Sequence, residues 1–540
     1  MFEQLIQDLA GEGGSLYTGL KYFSAELWLS GTIVVMLLLR LFSVDRWVPT
    51  FAVALAGSAI ALWGLFGQFT ELMSANTDVS IAFFGDMLRQ DLFSVFFRMF
   101  LSLFLILTIA LTVLTGIPDN EDAPDFYALL FGATVGMMMM ASANNLLMLF
   151  LGVEMASVPS YVMVGFLKGR KPSSEAALKY VVYGAGAAGV MLYGISLVTG
   201  VLGTGDMTLL ASRLALVSDG VAGLGDPEVC VVALGIMMVL AGLAFKLSLV
   251  PFHFWCPDAF EGASAEVAGF LSVASKAGAF ALLVRFCLGL SGVEATAELM
   301  TAFGVALGAV AIVTATFGNL AAYTQNNLKR LLSYSTIAHA GYMLMAVAAM
   351  MVMQNSDQAA GLGQEINAAV GGLLYYLAVY MFMNLGAFAI IALVRNYTFD
   401  ESIDSIRGLS SQSPALAVGM GVCVFSLIGI PPFGGFFAKL MVFAAVLKSA
   451  EIHWFMYVVL AFGGLNTVFS LFYYLKIVKA IFIEERPADA RAVSLPSMEG
   501  LYVVVLAVMV TLLGFFPAVT EGLSSIANAA GNAVLSVVGG

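Results

Sequence analysis

The chain has 540 residues, of which 61% are hydrophobic and only 11% charged. Soluble domains carry about 25% charged residues, so a soluble fold is excluded and a polytopic membrane protein is expected. The net charge of −12 does not suggest nucleic acid, because the acids fall mostly in connecting loops and no basic patch exists.

The segment Met1 to Lys21 contains Glu3, Asp8 and Glu12 and lacks the basic region and cleavage site of a signal peptide. The first helix is therefore expected to be an uncleaved span. Apolar runs then predict about fourteen helices, an all-α architecture, at 24–42, 48–68, 92–115, 126–142, 144–167, 175–203, 228–250, 264–290, 299–319, 327–352, 369–394, 414–448, 454–482 and 498–520. The span 414–448 is too long for one simple crossing. Its stretch Gly429-Ile430-Pro431-Pro432-Phe433-Gly434-Gly435 must break it, and the seventh helix runs into Pro251. Loops after odd-numbered helices hold most of the loop bases, among them Arg40, Arg46, Lys168, Arg170, Lys329 and Arg491. Arg98 and Arg285 count on the opposite, poorer side. The positive-inside rule then puts both termini outside the cytoplasm.

Two short matches recur five helices apart. Asn144-Asn145-Leu146 opens the fifth helix and Asn326-Asn327-Leu328 the tenth; Phe245-Lys246-Leu247 lies in the seventh and Ala438-Lys439-Leu440 in the twelfth. An odd offset reverses membrane direction, so the units are inverted, and inverted repeats with broken helices are a transporter signature.

Four ionisable side chains sit inside predicted spans: Glu154, Lys246, Lys276 and Lys439. Lys179, near the start of the sixth, is a fifth. A charge at the bilayer centre costs about 2.5–3.5 kcal/mol on insertion scales. Such groups must be paired, wetted or used. Pro159 loosens the fifth helix just beyond Glu154. Pro251 follows Lys246 by five residues, and Lys439 follows Pro431-Pro432; broken helices expose carbonyls that can solvate a cation. These placements favour charge movement through the membrane over structural ion pairs, with Lys246 and Lys439 at matching places in the two repeats. A desolvated lysine can gain and lose a proton near neutral pH, and a nearby carboxylate biases that exchange. His339, in Tyr334-Ser335-Thr336-Ile337-Ala338-His339, could bridge the Lys276 and Lys439 regions or simply be a core histidine. His253 borders the turn up to Glu261 and could be a channel-mouth residue.

Other motifs read plainly. Gly184-Ala185-Gly186-Ala187-Ala188-Gly189 matches G-x-G-x-x-G but has no preceding strand, so close helix packing explains it. The run Met137 to Met140 is packing filler. Cys230, Cys256, Cys287 and Cys423 are scattered and read as plain thiols, and no metal-ligand cluster, P-loop or haem motif is present.

Three stretches carry a family resemblance. They are Pro251-Phe252-His253-Phe254-Trp255-Cys256-Pro257-Asp258 with Phe260-Glu261-Gly262-Ala263, the run Leu328-Lys329-Arg330-Leu331-Leu332-Ser333-Tyr334-Ser335 continuing to Tyr342, and Gly429-Ile430-Pro431-Pro432-Phe433-Gly434-Gly435 with Lys439. Together, over roughly 90–485, they resemble the antiporter-like membrane subunits of respiratory complex I. The lysine at 439 and the P-D-x-x-E-G-A pattern look most like the branch called subunit N or subunit 2. Ala263-Ser264-Ala265-Glu266 departs from the A-P-T-P often found there.

The resemblance implies fourteen helices with two inverted five-helix repeats, helices 4–8 and 9–13, and broken helices 7 and 12. It divides the chain into N-terminal helices (1–125), a first repeat (126–290), a second (299–482) and a C-terminal part (483–540). It implies a proton relay of Glu154 with Lys246, then Lys276, then Lys439, with Lys179 as the helix-6 lysine. NADH, FMN, iron–sulfur clusters and quinone would lie on partner subunits, with no cofactor or metal in this chain. The expected function is proton translocation within a NADH:quinone oxidoreductase in the bacterial inner membrane, beside other antiporter-like and small membrane subunits. The alternatives are a subunit of a multi-subunit Na⁺/H⁺ antiporter or related membrane hydrogenase, and a purely structural membrane-arm subunit.

Overall fold

The computed structural model describes residues 15–75, 79–119, 122–167, 169–217, 226–486 and 497–539. Lys168 and Arg491, counted above as loop bases, lie outside the described residues. Thirteen helices among the described residues are long and apolar enough to cross a membrane. Spans 1 to 4 are Ser24–Leu41, Thr50–Ser74, Leu92–Thr115 and Ala123–Ser142. Spans 5 to 8 are Leu146–Val164, Lys171–Leu202, Pro227–Leu247 and Ala265–Gly289. Spans 9 to 11 are Glu294–Ala322, Leu328–Gln354 and Gly363–Thr398, and spans 13 and 14 are Phe455–Phe482 and Met498–Phe515. Span 12 is two half-helices, Pro414–Ile428 and Gly434–Ala450. With the divided span, the described residues hold fourteen candidate crossings, as expected. A two-stranded hairpin, β1 (Ile81–Phe83) and β2 (Leu88–Gln90), joins spans 2 and 3.

Spans 8, 10 and 11 are the most buried, each with a run of at least 18 residues wholly buried. The other helices wrap them, turning apolar side chains such as Trp63, Leu178 and Phe472 outward. That pattern suits a protein whose solvent is lipid.

The repeat is visible in the backbone. Asn145, which opens span 5, bridges Asp206 just after span 6, and Asn327, which opens span 10, bridges Ser402 just after span 11. In each case the asparagine side chain caps its own helix, accepting from Leu147 N in the first and Arg330 N in the second. Spans 7 and 12 also end alike. Ser248 and Gly429 both take left-handed backbone, with φ of 60° and 88°. In each, that residue's N–H bonds the carbonyl three residues back, and the next N–H bonds the carbonyl five residues back from itself, a Schellman-type stop. Pro251 and Pro432 each stand three residues later and prevent resumption.

This alignment of the breaks corrects one expectation. Lys246 stands two residues before Ser248, whereas Lys439 stands ten residues after Gly429. The two lysines are not repeat-related. The counterpart of Lys246 is Leu427, and that of Lys439 is Asp258.

The chain end also differs from expectation. Span 14 stops at Phe515, and Pro517–Gly539 forms a further helix, because proline suits a first helical position but not an interior one. Its Ala527, Ala530 and Ala533 are buried. Its Asn528 packs closely on Gly371 of span 11.

Candidate functional site

Lys246 is fully buried at the end of span 7. Its ammonium donates to Ser157 Oγ at 3.1 Å, and Ser157 donates to the Val153 carbonyl at 2.6 Å. Glu154, Ser157 and Tyr161 fall on one face of span 5 because they are spaced by three and four residues. Glu154 is half-buried, one turn from that serine. Among the described residues it forms no direct ion pair with Lys246, whose ammonium is held one helical turn away at Ser157. The expectation that freed carbonyls solvate Lys246 does not hold here, since the Phe245 carbonyl is taken by Trp255 Nε1 at 2.8 Å.

Lys276 is fully buried in the middle of span 8. It donates to Ser248 Oγ at 3.0 Å, so the residue that ends span 7 also solvates the next lysine. Its ammonium lies 5.2 Å from the Trp255 ring centre and 5.7 Å from that of Phe260, close enough for cation–π attraction.

Lys439 reaches back across the break of span 12. Its ammonium donates to the carbonyls of Ile428 at 2.8 Å and Leu427 at 3.2 Å. Those are end-of-helix carbonyls with no intrahelical partner, as the sequence argument expected. The ammonium also sits 4.5 Å from the Tyr342 ring centre. Because the side chain folds back, its charge lies at the carbonyl of Leu427, the counterpart of Lys246.

His339 is buried beside Lys439, within a set of tyrosines. Its Nδ1 hydrogen-bonds with Tyr376 Oη at 2.8 Å and its Nε2 with Tyr474 Oη at 3.2 Å. Tyr474 also bonds Ser335. Tyr473 donates to Asn319 Oδ1 at 3.1 Å, and Asn319 donates to Tyr342 Oη at 3.4 Å. No hydrogen bond among the described residues links His339 directly to Lys276; its ring faces Tyr380 at 5.1 Å, whose hydroxyl donates to Thr336 Oγ1 at 3.1 Å. The sequence reading missed these tyrosines. Their signal was the density of phenols in otherwise apolar spans, at Tyr375, Tyr376 and Tyr380 and again at Tyr473 and Tyr474.

The remaining candidates stand apart. His253 is buried against Phe254 and Phe317, with its Nδ1 unpartnered. Lys179 is substantially exposed and pairs with Glu175 at 2.8 Å and Asp258 at 2.9 Å. Asp258 in turn pairs with Arg330, and Arg330 with Glu261. The structure does not bring Lys179 together with the buried lysines.

Three bases expected in loops or at helix ends are instead buried. Arg98 makes a two-armed pair with Glu26 at 2.7 and 2.6 Å. Arg285 Nη2 donates to both Asp91 oxygens, at 2.7 and 2.8 Å, and Lys329 pairs with Glu401 at 2.9 Å. Their burial is tolerated because each has a carboxylate in contact. Lys246, Lys276 and Lys439 differ: each rests on neutral oxygens, with no carboxylate in contact. A lysine so placed can lose its proton without leaving an unpaired buried acid behind.

The G-x-G-x-x-G run is only partly a packing stripe. The Tyr161 hydroxyl occupies the space a Gly184 side chain would fill, whereas Gly186 and Gly189 face open space.

Residues 143–469 match the family described as NADH:quinone oxidoreductase/Mrp antiporter, transmembrane. The NADH-quinone oxidoreductase subunit N of Anaeromyxobacter sp. (strain Fw109-5) is 38% identical over 478 residues, covering 86% of this chain and 87% of that protein. The subunit N 1 of Koribacter versatilis (strain Ellin345) is 37% identical over 498 residues, covering 91% of this chain and 92% of that one. A chain of respiratory complex I from Thermus thermophilus, solved with bound aureothin, is 29% identical with a TM-score of 0.71, covering 92% of this chain and 98% of its own.

Proposed function

The chain belongs to the NADH:quinone oxidoreductase/Mrp antiporter membrane-subunit family, and from that premise we propose that it translocates protons within a NADH:quinone oxidoreductase. The observation that carries this reading is the contrast in counter-ions. The buried bases Arg98, Arg285 and Lys329 each hold a carboxylate, while Lys246, Lys276 and Lys439 each hold only hydroxyl or carbonyl oxygens.

In this reading Glu154 sets the charge state of Lys246 through the span 5 face. Moving that carboxylate closer favours the ammonium, and moving it away favours proton release. Lys276 receives the bias next, and Lys439, with His339 and its tyrosines, is the last station. His253 lies at the mouth of the break, and Lys179 anchors the Asp258 turn. At a separation of about 8 Å and an effective dielectric of about 20, one such coupling amounts to roughly 2 kcal/mol, enough to reverse a proton's preference.

The domain division is N-terminal helices (1–125), a first repeat (126–290), a second, inverted repeat (299–482) and a C-terminal part (483–540). NADH, FMN, iron–sulfur clusters and quinone are assigned to partner subunits, and the complex to the bacterial inner membrane, with both termini periplasmic. The relatives named NADH-quinone oxidoreductase subunit N favour this reading over a Na⁺/H⁺ antiporter subunit.

The test is proton pumping by inverted membrane vesicles carrying the assembled complex with Lys246→Ala. Loss of pumping with the complex intact is expected. Full pumping would exclude the relay.

A further inference from the structure

Beside Lys246 and Lys276 lies a cluster of aromatic rings that the relay has not so far used. Tyr180, on span 6, is at its centre and is fully buried. Its ring meets Tyr161 edge-on at 4.6 Å and stacks on Trp255 at 4.2 Å, with only 4° between the planes. Phe245, the neighbour of Lys246, lies 6.1 Å away. Trp255 is also the ring near which the Lys276 ammonium sits. Tyr180 therefore touches the surroundings of both lysines.

Its hydroxyl has no hydrogen-bond partner. An unsatisfied buried hydroxyl costs about 1–3 kcal/mol, and a phenylalanine would supply the same stacking without that penalty. Each such group in a native core asks for a reason. The surroundings give one. The Tyr180 ring is flanked by Tyr161, on the Glu154–Ser157 face of span 5, and by Trp255, the ring that the Lys276 ammonium approaches at 5.2 Å. Tyr161, whose ring holds Tyr180 edge-on, lies on the same face of span 5 as Ser157, the serine that binds Lys246. Gly184, one turn beyond Tyr180, leaves the room that the Tyr161 hydroxyl fills.

We infer that the Tyr180 hydroxyl relays protons between Lys246 and Lys276. The inference rests on the proton-relay reading of those lysines. Because the hydroxyl has no direct partner, bridging water brings its oxygen a proton from the Lys246 ammonium and carries the hydroxyl's own proton onward to the neutral Lys276 amine. The products are a neutral Lys246, a Lys276 ammonium and an unchanged phenol, so atoms and charge balance. The phenol never ionises, and rotation of its C–O bond resets it. Burial of both lysines without carboxylate contacts allows either to be the neutral partner.

Tyr180→Phe removes the hydroxyl and keeps the stack. In vesicles carrying the whole complex, coupled proton release is expected to fall about a hundredfold, the lower end of what one positioned proton-transfer group contributes. Assembly is expected to be unchanged, since no hydrogen bond is lost. A purely structural tyrosine would give the opposite result, undiminished pumping, and that outcome overturns the inference. Lys276→Ala in parallel separates the two levels. If Lys276→Ala pumps fully, the relay reading itself fails. If it does not pump while Tyr180→Phe does, only the role of Tyr180 fails. Should the phenylalanine complex not assemble, difluorotyrosine placed at 180 keeps ring and hydroxyl; a changed solvent isotope effect on pumping supports the relay, and an unchanged one overturns it.

Discussion

The Lys439 ammonium lies 2.8 Å from the Ile428 carbonyl oxygen, across the break that divides span 12. The carbonyl is available because Gly429 turns left-handed and the helix stops. A side chain from the second half-helix thus solvates itself on the end of the first, and the break and the buried charge need each other.

Gly429→Ala tests that dependence. A side chain at φ of 88° is strained by about 1–2 kcal/mol, and the new methyl would approach Lys439 Cδ at 2.9 Å. Reduced thermal stability of the complex and impaired pumping are expected together. Wild-type behaviour in both would mean that the break tolerates a side chain.

Ser248→Gly probes the other break in the opposite sense. Serine at φ of 60° is the less favoured residue there, and the relief of that strain offsets the cost of about 1–3 kcal/mol for leaving the Lys276 ammonium without its acceptor, so glycine is expected to change stability little. The same change removes the oxygen that Lys276 donates to. Pumping is expected to drop although stability changes little, a split that stability and pumping assays on one preparation will detect.

Lys246→Arg separates a fixed charge from a movable proton. Arginine stays charged and cannot release a proton at working pH. A milder loss than in Lys246→Ala is expected, because the field on Glu154 persists. Full pumping by the arginine variant would mean that the charge alone suffices.

The paired arginines should behave differently. Glu26→Ala leaves Arg98 buried without its partner, which costs about 3–5 kcal/mol. Lower yield of assembled complex is expected, with normal pumping by the fraction that assembles. Loss of pumping without loss of assembly would move Arg98 and Glu26 into the relay.

Much of this was legible in sequence because the membrane forces simple patterns. Long apolar runs marked thirteen crossings, and Pro431-Pro432 marked the divided one. Glu154, Lys246, Lys276 and Lys439 stood out because a charge in an apolar run is costly. What sequence could not supply was pairing at a distance. Glu26 and Arg98 are 72 residues apart, and Asp91 and Arg285 are 194 apart, so both arginines looked like bases at helix ends. The likeness of Phe245-Lys246-Leu247 to Ala438-Lys439-Leu440 misled for a related reason. A three-residue match fixes no register, whereas the left-handed turns at Ser248 and Gly429 do. Tyr180 and the phenols around His339 were missed because a tyrosine in a span reads as packing until its hydroxyl is located.

The most direct measurement is the number of protons pumped per electron by vesicles carrying the assembled complex with Lys276→Met. Methionine keeps the bulk of the side chain and removes only the proton carrier. With Lys276 central to the relay, the ratio is expected to fall below that of the unaltered complex while the complex remains intact. An unchanged ratio would contradict the claim that the unpaired buried lysines carry the proton.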